Sequence, residues 1–149
     1  MQEAYMEKAL LEANKAAHRN EVPVGAVIVS CQDNKIIAAA GNTTVETQDP
    51  TAHAEINAIR TACTQLSQQY LEDCDLYVTL EPCAMCAGAI SSARIRRVYY
   101  GAYDPKSGGV DHGAMVFKST SCHHKPEIYG GIMEKECSEL LTKFFQDKR

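Results

Sequence analysis

The chain has 149 residues, and none of its apolar runs approaches the ~20 residues that a membrane-spanning helix needs. A hydrophobic content of 45% is typical of globular proteins and is enough for one sizeable core, so residues 1–149 are predicted to form a single domain. The net charge of −4 excludes a uniformly basic, nucleic-acid-coating surface, although a local basic patch is compatible with it.

The first predicted elements are a helix and a β-hairpin. The helix has one apolar face with helical spacing, formed by Met6, Ala9, Leu10, Ala13, Ala16 and Ala17. Two runs rich in apolar residues follow at 25–29 and 35–40, and the polar segment 32–34 between them is typical of a turn. The two runs are therefore predicted to pair as antiparallel strands.

A second helix is predicted from Asp49 to about Leu66. Asp49 is a typical N-cap residue and Pro50 is favoured at the first helical position, so the pair indicates a helix start. The buried stripe of this helix is predicted to consist of Ile56, Ile59, Cys63 and Leu66. His53 and Glu55 then lie in its first turns.

The middle of the chain has the pattern of a strand–helix–strand unit. Strands are predicted at 76–80 and 97–101, with Pro82 as the first position of a helix that continues through residues 84–93. A crossover of this kind joins parallel strands. The helix carries little bulk on any face, so a neighbour must approach it closely. Burial within one molecule is one explanation, and contact with a second copy is the other.

The C-terminal part adds a short strand at 127–129 and a last helix. One side of that helix is apolar and consists of Met133, Cys137, Leu140, Leu141 and Phe144. Strands that alternate with helices predict an α/β fold, a three-layer α/β/α sandwich around a central mixed sheet of five strands. Ligands in such folds bind beyond the strand ends, which here is where Leu80 leads into Pro82.

The seven cysteines do not indicate a disulfide framework, because their number is odd and two of them, Cys83 and Cys86, have metal-ligand spacing. The others are interpreted as small buried apolar groups: Cys31, Cys63, Cys74, Cys122 and Cys137. The acidic segment 1–5 differs from the basic start of a signal peptide. We therefore expect a cytoplasmic protein.

His53, Cys83 and Cys86 have the composition of a catalytic zinc site. One imidazole and two thiolates leave the fourth position of a tetrahedral Zn²⁺ open, and a catalytic zinc keeps that position for water. Cys83 and Cys86 are three residues apart on one face of the predicted helix, so both sulfurs can reach one ion. Glu55 is then the natural proton carrier beside the metal.

Each half of this pattern also has a simpler explanation. A lone His-x-Glu is weak evidence of a site, and a lone Cys-x-x-Cys occurs in structural zinc sites and in redox pairs. A closed structural site needs a fourth ligand, yet neither a second Cys-x-x-Cys nor a spaced histidine pair follows. His123 and His124 are adjacent, so on a strand their side chains would point apart. The two halves together favour catalysis.

With these motifs the sequence resembles the zinc-dependent nucleoside and base deaminases, and among them the bacterial tRNA adenosine deaminases. The H-x-E…P-C-x-x-C arrangement is the signature of the superfamily. The stretches that carry the resemblance are EVPVGAV at 21–27, Asn42, DPTAHAE at 49–55, LYVTLEPCAMCAGA at 76–89, GAYDPKSG at 101–108 and FF at 144–145. The resemblance implies a cytidine-deaminase-like fold, a single deaminase domain of CMP/dCMP type and a homodimer. The sequence departs from the family at Thr43, Thr44, Asp111 and His112. These departures bear on which nucleotides are preferred on either side of the target adenosine.

The resemblance implies hydrolytic deamination of adenosine to inosine at the wobble position of a tRNA anticodon loop. It assigns one Zn²⁺ per chain to His53, Cys83 and Cys86, and the proton transfers to Glu55. The substrate-binding residues that it implies are Asn42, Ala54, Asp104, Lys106 and Phe145.

Two of these substrate-binding residues have alternative readings. Asn42 would orient the purine, but it also follows Gly41 in a dipeptide typical of turns. Of the two adjacent phenylalanines, Phe144 continues the buried stripe of the last helix. Phe145 is therefore the candidate for RNA contact.

The segment from Arg94 to Lys125 is locally basic. It contains six cations against two acidic residues, a net of +4: Arg94, Arg96, Arg97, Lys106, Lys118 and Lys125. These cations are predicted to form a strip that holds phosphates, with a merely solvated face as the alternative.

Three functions are compatible with the residues. The first is a tRNA adenosine deaminase, the second a small-molecule deaminase acting on cytosine, guanine or a free nucleoside, and the third a non-catalytic zinc-stabilised binding module. Glu55 argues against the third, since a structural zinc has no use for it. The basic strip and the loop at 104–108 favour the first over the second.

Overall fold

The computed structural model describes residues 2–148. Those residues form four helices, five strands and one 3₁₀ turn: α1 (Gln2–His18), β1 (Gly25–Ser30), β2 (Ile36–Gly41), α2 (Ala54–Leu66), β3 (Cys74–Leu80), α3 (Ala84–Ser92), β4 (Arg97–Ala102), a 3₁₀ helix (Val116–Lys118), β5 (Glu127–Tyr129) and α4 (Glu134–Asp147). Every predicted helix and strand is present, and the predicted bounds of β5 are confirmed.

The five strands form one mixed sheet in the order β2-β1-β3-β4-β5. Strand β1 is antiparallel to both β2 and β3, whereas β4 is parallel to both β3 and β5. The predicted hairpin and the predicted parallel crossover are both confirmed. The crossover brings the end of β3 and the start of α3 to one edge of the sheet.

Helices cover both faces of this sheet. Apolar residues of α2 and α3 pack with Ile28, Leu76 and Val98 in the larger core. Residues of α1 and α4 pack with Val27 and Tyr77 in a smaller core on the opposite face, because successive residues of a strand point to opposite sides. The predicted three-layer α/β/α sandwich is confirmed. No helix within residues 2–148 is long and apolar enough to cross a bilayer.

The predicted start of α2 at Asp49 is wrong. Helix α2 begins at Ala54, and His53 is its N-cap residue. The Asp49 carboxylate instead accepts hydrogen bonds from the backbone N–H and the hydroxyl of Thr51, at 2.9 and 2.7 Å, and so closes a local turn. Aspartate is favoured both in such turns and at helix N-caps, so the Asp-Pro pair marks a turn here and not a helix start.

The start of α3 is displaced in the same direction. It begins at Ala84 with Cys83 as its N-cap, so Pro82 precedes the helix instead of opening it. Neither Cys83 nor His53 makes a side-chain capping hydrogen bond. Two of the three predicted metal ligands, His53 and Cys83, therefore lie at points where an extended segment turns into a helix.

The predicted buried stripe of α2 is only partly confirmed. Its fully buried face is formed by Ala54, Glu55, Ala58 and Ala62. Ile59, Cys63 and Leu66 are partly buried and pack at the margin of the same core. Small side chains on the buried face let the helix lie close to the sheet, which brings Glu55 into the interior.

Candidate metal and substrate site

His53, Cys83 and Cys86 come together beyond the end of β3. The Nδ1 atom of His53 lies 3.6 Å from the sulfur of Cys83 and 3.4 Å from the sulfur of Cys86, and the ligand atoms of all three lie within 4.8 Å of one another. A tetrahedral zinc with bonds of about 2.0 Å to nitrogen and about 2.3 Å to sulfur would separate these atoms by about 3.6 Å. The cluster therefore fits zinc in both donor type and spacing.

The protonation of the three groups is coupled. A hydrogen bond from Cys86, with a further contribution from His53, lowers the pKa of the Cys83 thiol to about 4. The same bond to Cys83, together with burial, raises the pKa of Cys86, and the bond to Cys83 raises the pKa of His53. The lowered pKa of Cys83 is expected at a helix N-terminus, where the helix dipole favours negative charge.

Glu55 lies in the first turn of α2 and is 4% exposed. Burial raises the pKa of its carboxyl group to about 7, and nearby Cys83 adds to the effect while His53 opposes it. A carboxyl group with this pKa can both accept and release a proton near neutral pH. Its place in the pocket beside the cluster matches the predicted proton carrier.

The cluster opens into a pocket of about 290 Å³. It is lined by Val22, Val24, Asn42, Thr44, His53, Ala54, Glu55, Leu80, Glu81, Cys83, Asp104 and Ser107. The volume lies near the lower end for ligand pockets, so the site suits one small molecule or one nucleobase. Of the predicted substrate-binding residues, Asn42, Ala54 and Asp104 line the pocket together with His53, Cys83 and Glu55, whereas Cys86 lies buried behind the lining.

Asn42 is 8% exposed and follows directly after β2. Its side-chain oxygen accepts a hydrogen bond from the backbone N–H of Thr44 at 3.3 Å, and its amide nitrogen donates to the carbonyl of Val22 at 3.5 Å. These bonds are those of a turn residue, while the position is that of a pocket residue. Both sequence interpretations of Asn42 are thus compatible with its environment.

Lys106 and Phe145 lie outside the pocket lining. Lys106 is exposed two residues beyond Asp104. Phe145, near the end of α4, is 49% exposed and contacts half-buried Phe144 edge to face, with ring centroids 5.4 Å apart. Both residues are open to solvent and available to a ligand larger than the pocket. Arg149, four residues after Phe145 in the sequence, lies outside the described residues.

The predicted basic strip is wrong as a continuous surface. Arg94, Arg96 and Arg97 precede or begin β4, which runs parallel to β3. The pocket lies at the C-terminal ends of these strands, so the three arginines lie at the opposite end of the sheet. A strand of this length extends about 20 Å. All three also pair with carboxylates: Arg94 with Glu72 at 3.9 Å, Arg96 with Asp75 at 2.7 Å and Arg97 with Glu127 at 3.1 Å. Lys106 is therefore the cation of the predicted strip that lies closest in sequence to a pocket residue.

Two buried glutamates near the pocket had no role in the sequence analysis. Glu21 is 1% exposed, and its carboxylate accepts backbone hydrogen bonds from Val45 at 3.1 Å and Glu46 at 2.7 Å. Glu81 is 2% exposed and accepts bonds from the loop that follows β4. The available signal was an acidic residue next to an apolar run, LYVTL before Glu81 and VPV after Glu21. Burial of a charged residue there lowers the stability of the fold unless the charge is hydrogen-bonded.

The sequence matches known deaminases over its whole length. The model of the MafB19-like deaminases matches residues 1–149. The chain is 56% identical to the tRNA-specific adenosine deaminase of Agrobacterium fabrum over 145 residues, which is 97% of this chain and 94% of that protein. It is 49% identical to the tRNA-specific adenosine deaminase of Rickettsia typhi over 144 residues, 97% of each chain.

A solved structure from a study of A-to-I editing by tRNA deaminases at the wobble position of transfer RNA has a TM-score of 0.90 to this one. The two share 56% sequence identity, and the match covers 93% of this chain and 99% of the other. The fold is thus the cytidine-deaminase-like fold that the resemblance implied. The chain belongs to the family of tRNA-specific adenosine deaminases.

Proposed function

We propose that this protein hydrolyses the exocyclic C–N bond of adenosine at the wobble position of a tRNA anticodon loop and so makes inosine. The observation that carries the proposal is that Glu55, His53 and Cys83 line one pocket, and that His53 and Cys83 form a metal-ligand cluster with Cys86 there. The 56% identity to a tRNA-specific adenosine deaminase supports adenosine in tRNA as the substrate.

We propose one zinc ion per chain, held by His53, Cys83 and Cys86. Their donor atoms have the spacing of three tetrahedral ligands, which leaves the fourth position for water. When bound, zinc supplies the Lewis acidity that makes water a nucleophile near neutral pH.

Glu55 carries the protons of the reaction in this proposal. Its carboxylate takes a proton from the attacking water and delivers it to N1 of the adenine as C6 is attacked. It then carries the remaining proton of the new C6 hydroxyl group to the exocyclic amino group, so that the C6–N bond breaks and ammonia leaves. Glu55 is free to transfer protons because the proposed zinc ligands are His53, Cys83 and Cys86 and do not include it. The enclosed position of the carboxyl group, 4% exposed, limits competition from bulk water.

Asn42 and Ala54 are proposed to hold the base. The Asn42 amide has both a donor and an acceptor for the purine edge, and its bonds to Val22 and Thr44 keep the amide in the pocket wall. The small side chain of Ala54, between His53 and Glu55, leaves room for the ring.

The surroundings of the pocket fit a loop nucleotide. A pocket of about 290 Å³ takes one base, which must leave its stack to enter. Bases in loops are already partly unstacked, and sequence-specific RNA recognition targets such loops. Asp104, Lys106 and Phe145 are proposed to contact the nucleotides on either side, with Phe145 offering an exposed ring for stacking.

A small-molecule deaminase is the second candidate, because the pocket volume alone is sufficient for a free base or nucleoside. Incubation with an anticodon stem-loop, and separately with adenosine, cytosine and guanine, distinguishes the two. Mass spectrometry of the products should find inosine at the wobble position of the stem-loop. Efficient turnover of a free base without turnover of the stem-loop would show the second candidate to be correct.

We expect Lys106→Ala to weaken binding of the anticodon stem-loop and to lower its dependence on salt. Lys106 is exposed beside pocket residue Asp104, so it can neutralise a phosphate of the bound loop. Loss of one phosphate contact should reduce the slope of log K against log salt concentration by about 0.7 for a single strand. Fluorescence anisotropy across a salt series measures this slope.

Arg94→Ala is the matched control for Lys106→Ala. It removes one positive charge from the opposite edge of the sheet, where Arg94 pairs with Glu72. Its salt slope should equal that of the parent protein. Equal slopes for the parent and Lys106→Ala would contradict the phosphate contact.

We propose that α3 forms part of a homodimer interface. Its residues Cys86, Ala87 and Ile90 are buried in the core, whereas Met85 is 39% exposed on the outer side. A side chain added at Gly88 would meet no atom of the same chain within 4 Å. An outer face with so little bulk suits close packing against a second copy. Sedimentation equilibrium should give twice the mass of the chain, and a monomer at micromolar concentration would contradict this proposal.

The proposed site of action is the cytoplasm. This rests on the proposed substrate, since tRNA is the molecule on which the protein would act. Fractionation of cells expressing the protein should recover it with the soluble cytoplasmic fraction, and recovery with membranes would contradict the assignment.

A further inference from the structure

We propose that Glu81 is a positioning residue, whose buried carboxylate holds the loop 104–112 in the shape that binds the nucleotides around the target adenosine. This inference rests on the proposed function. The loop contributes Asp104 and Ser107 to the pocket that Asn42 and Glu55 also line. Glu81 is thereby assigned to positioning the nucleotide-binding loop and not to the proton transfers.

The Glu81 carboxylate is the hydrogen-bonding centre of this loop. One oxygen accepts bonds from the backbone N–H of Asp104 at 3.0 Å and from the His112 ring at 2.8 Å. The other oxygen accepts the backbone N–H groups of Val110, Asp111 and His112 at 3.2, 3.0 and 3.1 Å. Both ends of the loop are thus attached to one side chain at the end of β3.

The loop is shaped around this carboxylate. Successive backbone N–H groups that converge on one point form a nest that binds an anion, and here the anion belongs to the protein. A side chain at Gly108 would place its Cβ 2.4 Å from a Glu81 oxygen. Only glycine therefore allows the loop backbone to lie this close to the carboxylate. The Glu81 side chain has no exposed surface. Glu81 is part of the pocket lining, but its fully buried carboxylate is not accessible to substrate.

The effect of Glu81 reaches the pocket through Asp104. Glu81 fixes the backbone N–H of Asp104, and the Asp104 carboxylate in turn accepts the backbone N–H of Ser107 at 2.9 Å. Asp104 and Ser107 both line the pocket, and Lys106 lies between them. Without the central anion, the loop keeps backbone bonds such as that from Gly109 to Pro82 but loses every bond to the Glu81 carboxylate, including the one that fixes Asp104.

Glu81→Gln tests this role with little change in volume. The amide nitrogen would face N–H donors that now face a carboxylate oxygen, so part of the nest loses its acceptor. We expect the KM for an anticodon stem-loop to rise by about tenfold or more, with kcat within about threefold and zinc content unchanged, because binding is lost before chemistry. The affinity of the stem-loop, measured by fluorescence anisotropy, should fall in parallel.

Two further variants separate positioning from general destabilisation. Gly108→Ala displaces the same loop with the Glu81 charge intact and should also raise KM. Asp75→Asn is the matched control, since Asp75 is an 8% exposed carboxylate with two bonds to Arg96 at the far edge of the sheet. It should lower the melting temperature while the KM stays at the parent value.

The outcomes distinguish this inference from the proposed function. An unmodified stem-loop after incubation with the parent protein would refute the proposed function. Parent-like stem-loop affinity in both Glu81→Gln and Gly108→Ala, with zinc retained, would refute the role of Glu81, and so would a loss confined to kcat. A KM increase shared by Asp75→Asn would equally overturn it, because destabilisation would then be the cause.

Discussion

Replacing Glu55 by alanine is expected to abolish deamination while the zinc stays bound and the fold stays intact. The carboxyl group lies beside the cluster without belonging to it, so its loss removes proton transfer but no ligand. Removal of a general acid or base typically costs about 10²- to 10⁴-fold in rate, and here one group serves several transfers, so a loss near 10⁴ is expected. Inosine formation under single-turnover conditions measures it.

The stability of the Glu55→Ala protein provides a second readout. A buried carboxyl group is costly to the folded state because it leaves water, so its removal should leave the melting temperature unchanged or raised. Glu55→Gln keeps the size of the side chain and should be as inactive as Glu55→Ala. Activity above about a tenth of the parent rate in either variant would mean that another group carries the protons.

Cys86→Ala is expected to lose the zinc and, with it, both activity and stability. Cys86 is fully buried and faces His53 at 3.4 Å, so the substitution leaves two ligands where a zinc site needs three. Free zinc at a thousand times its dissociation constant stabilises a protein by about 4 kcal/mol. In a domain of this size, that loss lowers the melting temperature by roughly 10 °C. Metal analysis and thermal denaturation measure the two effects.

Cys74→Ala is the control for this substitution. Cys74 is also buried, at 2% exposure, but it begins β3 at the sheet edge away from the cluster. Its variant should keep stoichiometric zinc and full activity. Chelation of the parent protein should reproduce the melting temperature of Cys86→Ala. Full zinc retention by Cys86→Ala would contradict the proposed ligand set.

Most of the fold could be predicted because its signals are local. Strands such as β1 and β3 consist of short apolar runs bounded by turn residues, and β5 was predicted with its observed bounds. The helix starts were not predictable to the residue, since Asp49 can cap either a turn or a helix with the same carboxylate. Only the tertiary position of His53 decides between them.

The proposed metal ligands could be predicted for a different reason. Their chemistry restricts the residue types and the spacing, so Cys83 and Cys86 indicate a site without any knowledge of the chain path. The predicted basic strip is not continuous because its residues are close in sequence but far apart in space: the crossover through α3 returns the chain to the opposite end of the strands before β4 begins. The role of Glu81 depends on loop N–H groups, which leave no periodic signal in a sequence.

The N-cap positions of α2 and α3 have a consequence for folding. Serine, threonine, aspartate or asparagine at an N-cap stabilises a helix by about 1 kcal/mol relative to alanine, and neither His53 nor Cys83 makes the capping bond that gives this stability. Both helices therefore begin with their first amide groups lacking a side-chain partner from the cap residue. A metal ion bound to both residues would fasten the two helix starts to each other. Fraying in the metal-free protein should accordingly begin at these two starts, with hydrogen exchange there slowing when zinc is added.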